Sequence, residues 1–100
     1  MTSRRDYLVS YDISDPVRLR RVHRTVRDFG DALQLSVFWC QLSSKDRAHL
    51  EARLRDIANL DHDQILFFDL GATRREEDGP PVALRVGRKI TPGIVRVIIV

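Results

Sequence analysis

The sequence lacks the long apolar runs and the paired cysteines that define several large classes of protein. No apolar run in its 100 residues approaches the roughly 20 needed to span a bilayer, so we expect no transmembrane segment and no membrane partner. The first residues include Asp6 and no long apolar core, so no signal peptide is predicted. The single cysteine, Cys40, excludes an internal disulfide and a cysteine-based zinc site. These absences predict an intracellular, cytoplasmic protein.

Familiar catalytic motifs are also missing. The sequence contains no glycine-rich phosphate loop, no HExxH zinc motif and no recognisable Ser-His-Asp or Cys-His arrangement. His23 is predicted to be a packed or surface residue, and Asp61 to Asp63 a polar loop. If the chain is an enzyme, water activated by a metal ion is the most available mechanism.

Lysine is scarce, and arginine supplies 15 of the 17 cations. Residues 1–30 carry seven Arg and four Asp, residues 79–100 carry four cations and no acid, and the middle of the chain is acidic. Because the planar guanidinium group pairs bidentately with phosphate, the basic ends indicate a nucleic-acid partner. A GC-rich genome would explain the same arginine usage without any function.

Turn-forming residues divide the chain into strands and helices in the order β, α, β, α, β, followed by an arm. The predicted strands are rich in β-branched and aromatic residues and cover 6–12, 33–42, 64–70, 82–86 and 94–100. Segment 33–42 is either one strand or two short ones. Asp15 and Pro16 predict the start of the first helix and Gly30 its stop, and Ser43 predicts the start of the second helix.

This order favours a ferredoxin-like α+β sandwich, βαββαβ, in residues 1–78, with a C-terminal arm and strand in residues 79–100. The strands are apolar on both faces: in 64–70, for example, Phe67 points one way and Phe68 the other. Two helices cover only one face of a sheet, so the second face is predicted to pack against another copy of the chain. The apolar last strand is predicted to be exchanged within this homodimer.

Asp12 is the candidate catalytic residue and the candidate ligand of Mg²⁺. It ends an apolar strand, where a carboxylate is both exposed and rigidly placed. Magnesium typically takes only one or two protein carboxylates, and a two-fold dimer would supply one Asp12 from each copy. A plain turn or capping role is the alternative.

Five arginines on the first helix are the candidate nucleic-acid-binding residues. No acidic residue lies between the first and the last of them, so neighbouring like charges repel one another and phosphate would relieve the repulsion. A solvated helix face is the alternative. The five are Arg18, Arg20, Arg21, Arg24 and Arg27.

Several of these segments resemble the second CRISPR-associated protein family, the small subunit of the spacer-acquisition complex, often named CRISPR-associated endoribonuclease. The resemblance rests on the strand end from Tyr11 to Ser14, the clustered arginines before Val22, Gly30, and the segment from Gln34 to Phe38. It covers nearly the whole chain, including the apolar last strand.

The resemblance implies a ferredoxin-like homodimer in which Asp12 matches the family's metal-binding aspartate and faces its counterpart across the interface. Tyr11, Ser36 and Phe38 match the family's signature positions. The implied role is to bridge two dimers of the CRISPR integrase and to seat a double-stranded DNA prespacer. Some members are described as metal-dependent nucleases on single-stranded RNA or on duplex DNA.

Three functions stay open on the sequence. The first is a CRISPR adaptation subunit with magnesium-dependent endonuclease activity on single-stranded RNA or double-stranded DNA. The second is a stand-alone toxin-type ribonuclease of the same fold. The third is a non-catalytic ferredoxin-like module that binds a small ligand or a partner protein.

Overall fold

The chain forms two helices and six strands in a computed structural model that describes residues 3–73, 82–88 and 96–99. Neither described helix has the length and apolar character that crossing a membrane requires. In chain order the elements are β1 (Arg4–Asp12), α1 (Pro16–Arg27), β2 (Gly30–Gln34), β3 (Val37–Ser43), α2 (Ser44–Ile57), β4 (Gln64–Ala72), β5 (Val82–Arg85) and β6 (Arg96–Ile99).

The first four strands form one antiparallel sheet in the order β2-β3-β1-β4. With α1 and α2 against one face, this is the ferredoxin-like α+β arrangement that the order of elements predicts. The core lies between that face and the helices, and its fully buried members include Val9, Val22, Phe38 and Leu50.

Both predicted helix starts are confirmed. The Asp15 carboxylate accepts hydrogen bonds from the backbone N–H groups of Val17 (3.0 Å) and Arg18 (2.9 Å), and Pro16 is the first helical residue. Ser43 Oγ accepts from the backbone N–H of Asp46 at 3.1 Å. These caps satisfy N–H groups that have no partner inside the helix.

Gly30 has a different role from the predicted helix stop. Helix α1 ends at Arg27, and Gly30 is the first residue of β2, paired with Cys40 of β3. A Cβ atom at this position would collide with the carbonyl oxygen of Trp39 and crowd the Cys40 sulfur. Glycine is therefore needed for the close approach of two strands, and not for a left-handed turn.

Segment 33–42 belongs to two strands, joined by a tight turn at Leu35 and Ser36. Register shifts between Ala32 and Gln34, which marks an irregularity just before the turn. Within β3, Cys40 is fully buried. Burial raises the pKa of its thiol to about 12, and the nearby Asp31 carboxylate adds to the rise.

The sheet face opposite the helices is open and apolar. Leu66, Phe68 and Leu70 of β4 are 40%, 49% and 51% exposed, and Phe68 lies in register with Leu8 of β1. Successive side chains alternate between the faces of a strand, so Asp12 shares this open face with Leu8. The predicted division of β4 into two apolar faces is confirmed, since Ile65 and Phe67 pack on the core.

The C-terminal strands β5 and β6 pair with each other in parallel, with Val82 opposite Arg96. The predicted exchange of the last strand between two copies stays a prediction. The predicted boundary between residues 78 and 79, and the ends of the last predicted strand at 94–95 and 100, lie outside the described residues.

Candidate functional site

A groove of about 530 Å³ lies between the end of β1, one side of α1 and the turn that joins β2 to β3. It brings together six of the residues that the sequence singles out, from three separate segments of the chain. They are Tyr11, Asp12, Arg20, Arg24, Arg27 and Ser36. Arg21 is exposed on the same helix but does not line the groove.

The Asp12 carboxylate is exposed and accepts no hydrogen bond from the described residues. Its oxygens are hard donors of the kind that Mg²⁺ prefers. In residues 3–73, 82–88 and 96–99 no three metal-binding side chains cluster together. Asp12 could therefore hold magnesium only as a single carboxylate, and the other ligands would have to come from water, nucleic acid or a second copy of the chain.

Three exposed arginines give the groove its charge. Arg20, Arg24 and Arg27 form no ion pair within the part of the chain that the structure describes. Helix α1, from Pro16 to Arg27, contains no acidic residue that would offset them. Their guanidinium groups are free to bind phosphate, which they can hold bidentately.

Arg18, the fifth predicted nucleic-acid ligand, is engaged elsewhere. Its Nε donates to Asp63 Oδ2 at 2.8 Å and its Nη2 donates to Ser14 Oγ at 3.1 Å. Only 26% of the Arg18 side chain is exposed, and none of the Asp63 side chain is. The nucleic-acid role of Arg18 stays a prediction, while its contacts in this structure join α1 to the loop before β4.

Asp63 is the centre of this junction, and the sequence analysis missed it by treating residues 61–63 as a polar loop. Besides Arg18, its carboxylate accepts hydrogen bonds from the backbone N–H groups of Ser14 and Asn59, both at 2.9 Å. The bond from Arg18 is the main reason that the pKa of the Asp63 carboxyl lies well below its ordinary value. The same bond raises the pKa of Arg18.

His23 is the second residue that the sequence analysis did not place in a site. Its Nδ1 lies 2.8 Å from Tyr11 Oη, and its ring packs edge-on against Phe38 with 5.3 Å between ring centroids. Tyr11 also donates to the backbone oxygen of Leu35 at 3.2 Å. Burial raises the pKa of Tyr11 to about 12, so the phenol keeps its proton at neutral pH.

The two other signature residues, Phe38 and Ser36, contact Tyr11 and fix its position in the groove. Phe38 is fully buried and stacks on Tyr11, with 6.2 Å between ring centroids. The backbone oxygen of Ser36 accepts a hydrogen bond from the Tyr11 N–H at 3.1 Å. Phe38 and Ser36 thus hold Tyr11, and with it the end of β1, against the turn between β2 and β3.

The fold and the site define a ferredoxin-like α+β protein with an unpaired carboxylate at the end of its first strand, beside an arginine-lined groove. Comparison with known proteins gives the family. The profile described as CRISPR associated protein Cas2 matches residues 5–78, and the chain belongs to this family.

Relatives and solved structures agree with that assignment. The chain is 37% identical over 94 residues to the CRISPR-associated endoribonuclease Cas2 of Geobacter sulfurreducens, which covers 94% of this chain and 96% of the relative. The crystal structure of Streptococcus pyogenes Cas2 at pH 6.5 is similar with a TM-score of 0.62 and 34% identity, over 66% of this chain and 86% of that one. Another crystal structure of a Cas2 protein covers 96% of this chain and 100% of its own, with a TM-score of 0.70 and 26% identity.

We expect Asp63→Asn to lower the melting temperature by several degrees at pH 7, because the neutral amide cannot replace the charge-assisted bonds from Arg18. The depressed pKa means that this stabilisation is present above the unfolded-state pKa of about 3.9 and is lost as the pH falls toward the folded-state value. Thermal unfolding followed by circular dichroism from pH 7 to pH 3 measures both effects.

Asp61→Asn is the matched control, since Asp61 is exposed in the same loop and should change the melting temperature little. A melting temperature for Asp63→Asn that equals that of the control at pH 7 would show that the buried pair contributes no stability.

Proposed function

We propose that this protein is a CRISPR adaptation subunit that binds nucleic acid in the cytoplasm and cleaves it as a magnesium-dependent endonuclease. The observation that carries the proposal is an exposed Asp12 carboxylate beside Arg20, Arg24 and Arg27 in one groove, with none of the four paired to another described residue. A carboxylate and several guanidinium groups that do not neutralise one another are suited to a metal ion and a phosphodiester, respectively.

The chemistry of the proposal is hydrolysis of a phosphodiester in single-stranded RNA or double-stranded DNA. The relative from Geobacter sulfurreducens is named an endoribonuclease, which favours RNA as a substrate. Arg20, Arg24 and Arg27 would hold the phosphates, and Asp12 would hold the metal ion. When bound, magnesium supplies an acidified water molecule and neutralises charge on the phosphate.

We propose that two copies pack through their open sheet faces. Phe68 and its neighbours Leu66 and Leu70 give this face an apolar surface next to Leu8, which is costly to leave in water. Because Asp12 lies on the same face, a two-fold axis through this interface could bring two Asp12 carboxylates toward one metal ion.

The proposed role in adaptation places the protein between two dimers of the CRISPR integrase, with duplex prespacer DNA on the arginine-rich side. Membership of the Cas2 family supports this role. The proposed integrase contact is the C-terminal arm from Val82 onward, where Leu84 and Val86 are 69% and 81% exposed. Exposed aliphatic side chains of this kind are suited to burial against a partner protein.

Asp12→Asn should lower magnesium-dependent cleavage of a labelled single-stranded RNA or a DNA duplex by about 100-fold or more, in the range lost with one electrostatic group of an active site. Because the carboxylate is exposed and unpaired, the variant should keep its melting temperature and its affinity for duplex DNA. Gel-resolved cleavage rates at saturating magnesium measure the first effect.

Asp61→Asn, which changes an exposed acid away from the groove, should cleave at the wild-type rate. Equal cleavage by wild type and Asp12→Asn would place the activity in a contaminant or at another site. Absence of cleavage by the wild type on both substrates would leave a non-catalytic binding subunit.

Removing the groove arginines should weaken binding and reduce its dependence on salt. Each contact with phosphate releases counterions, so Arg20→Ala and Arg24→Ala should each reduce the slope of log K against log salt by about 0.9 for duplex DNA and about 0.7 for a single strand. Fluorescence anisotropy titrations at four salt concentrations measure the slope.

Arg55→Ala is the control because Arg55 is exposed on α2, away from this groove. Slopes that stay unchanged for both groove variants would exclude the groove as the binding surface for nucleic acid.

Phe68→Glu should convert a dimer into monomers, since a charge at the centre of an apolar interface is desolvated without a partner. Phe68 is half exposed in the single chain, so the variant should still fold. Sedimentation velocity at micromolar protein concentrations separates the two species.

Leu60→Glu is the control, because Leu60 is 70% exposed in the loop before β4 and off the open face. A wild-type protein that sediments as a monomer, or a Phe68→Glu variant that stays dimeric, would contradict packing through this face.

A further inference from the structure

His23 is held in the groove by contacts that do not depend on any ligand. Its ring is half-buried, with Phe38 against it and Nδ1 at 2.8 Å from Tyr11 Oη. Nε2 makes no hydrogen bond with the described residues and is the nitrogen left for a ligand in the groove.

The two contacts of Tyr11 can both be hydrogen bonds in only one arrangement of protons, because the carbonyl oxygen of Leu35 can only accept whereas Nδ1 of His23 can donate or accept. A phenol has one proton, and Tyr11 donates it to the backbone oxygen of Leu35 at 3.2 Å. The 2.8 Å contact with His23 is then a hydrogen bond only if Nδ1–H is the donor and the Tyr11 oxygen accepts. In the neutral ring this leaves Nε2 without a hydrogen, as an acceptor.

From this geometry we propose that His23 is the proton acceptor of the groove and that Tyr11 is its positioning residue. The inference rests on the proposed hydrolytic function and deepens it. Asp12 and His23 line the same groove, so one would hold the metal ion and the other would accept the proton of the attacking water. The tautomer set by Tyr11 keeps Nε2 ready for that proton.

The proposed step is balanced by water alone. The oxygen of a water molecule forms a bond to phosphorus while its proton passes to His23 Nε2. The bond between phosphorus and the leaving sugar oxygen breaks, that oxygen takes a proton from solvent, and His23 returns its own proton to solvent. The imidazolium formed in between keeps its Nδ1–H bond to Tyr11, so the ring does not need to reorient.

Among the residues that the structure describes, the charged side chains that line the groove with His23 come from two elements. Helix α1 supplies Arg20, Arg24 and Arg27, and β1 supplies Asp12 together with the phenol of Tyr11. The turn between β2 and β3 contributes Leu35 and Ser36, which carry no charge, and β3 contributes the apolar Phe38. A bound phosphodiester would offset the positive charge of the three arginines that line the groove with His23.

Nitrogen NMR tests the arrangement without any cleavage assay. In protein labelled with ¹⁵N at histidine and held at a pH where the ring is neutral, long-range ¹H–¹⁵N spectra distinguish Nδ1–H from Nε2–H. We expect Nδ1–H for His23 in the wild type and a shift toward Nε2–H in Tyr11→Phe. A wild-type His23 that carries its proton on Nε2 would overturn the inference, whatever the activity.

Cleavage kinetics test the catalytic part on the same protein. We expect His23→Gln to lower kcat by about 100-fold or more at neutral pH, with little change in KM, and to remove the fall in rate on the acidic side of the pH profile. Tyr11→Phe should give a smaller fall in kcat. His49→Gln is the matched control, since His49 packs on Phe29 away from the groove.

The outcomes separate this inference from the proposed function. Wild-type protein that cleaves in an Asp12-dependent way, together with a His23→Gln variant that keeps the wild-type rate and pH profile, would overturn the role of His23 and leave the function intact. Wild-type protein with Nδ1–H on His23 and no metal-dependent cleavage would overturn the function, and the catalytic role of His23 with it.

Discussion

The candidate site depends on the hydrogen bonds that the buried carboxylate of Asp63 accepts from three other residues. This carboxylate is removed from water and would be strongly destabilising without partners, but Arg18, Ser14 and Asn59 together satisfy it. The bonds join the loop after β1 to the loop before β4, which are far apart in the chain. Both loops flank the end of β1, so this one carboxylate fixes the position from which Asp12 extends and the direction in which α1 begins.

Side chains of β1 alternate between the two faces of the sheet, so the adjacent residues Tyr11 and Asp12 have different surroundings. Tyr11 points to the helix side, where it packs on Phe38 and contacts His23. Asp12, the last residue of β1, alternates away from the core and borders the groove at the end of the strand. A shift of one residue in register would exchange these positions and bury the carboxylate. Pairing of β1 on both edges, with β3 and β4, holds the register against such a shift.

What could be predicted from the sequence was determined by local chemistry. The cap at Asp15 and the two apolar faces of β4 depend on neighbours within a few residues, and the order of elements left few alternatives to a ferredoxin-like sheet. Asp12 and the arginines of α1 were identified as candidates because an isolated acid at the end of a strand and a run of like charges can be recognised in the sequence alone. The family resemblance added the expectation that they act together.

What could not be predicted depends on contacts between distant segments. Gly30 resembles a helix stop in sequence, but the carbonyl oxygen of Trp39 excludes any side chain there. Asp63 lies 45 residues from Arg18, and nothing in its own loop distinguishes it from Asp61. The proposed role of His23 depends on its 2.8 Å contact with Tyr11, which is 12 residues away in the chain. A contact of this kind cannot be read from the sequence.

The position of Cys40 in the middle of β3 has a practical consequence. Cys40 is fully enclosed and its thiol stays protonated at physiological pH, so alkylating reagents can reach it only when β3 separates from its neighbours. Its rate of modification therefore reports how often the sheet opens. Cys40 is thus a native probe of local unfolding, and no engineered label is needed.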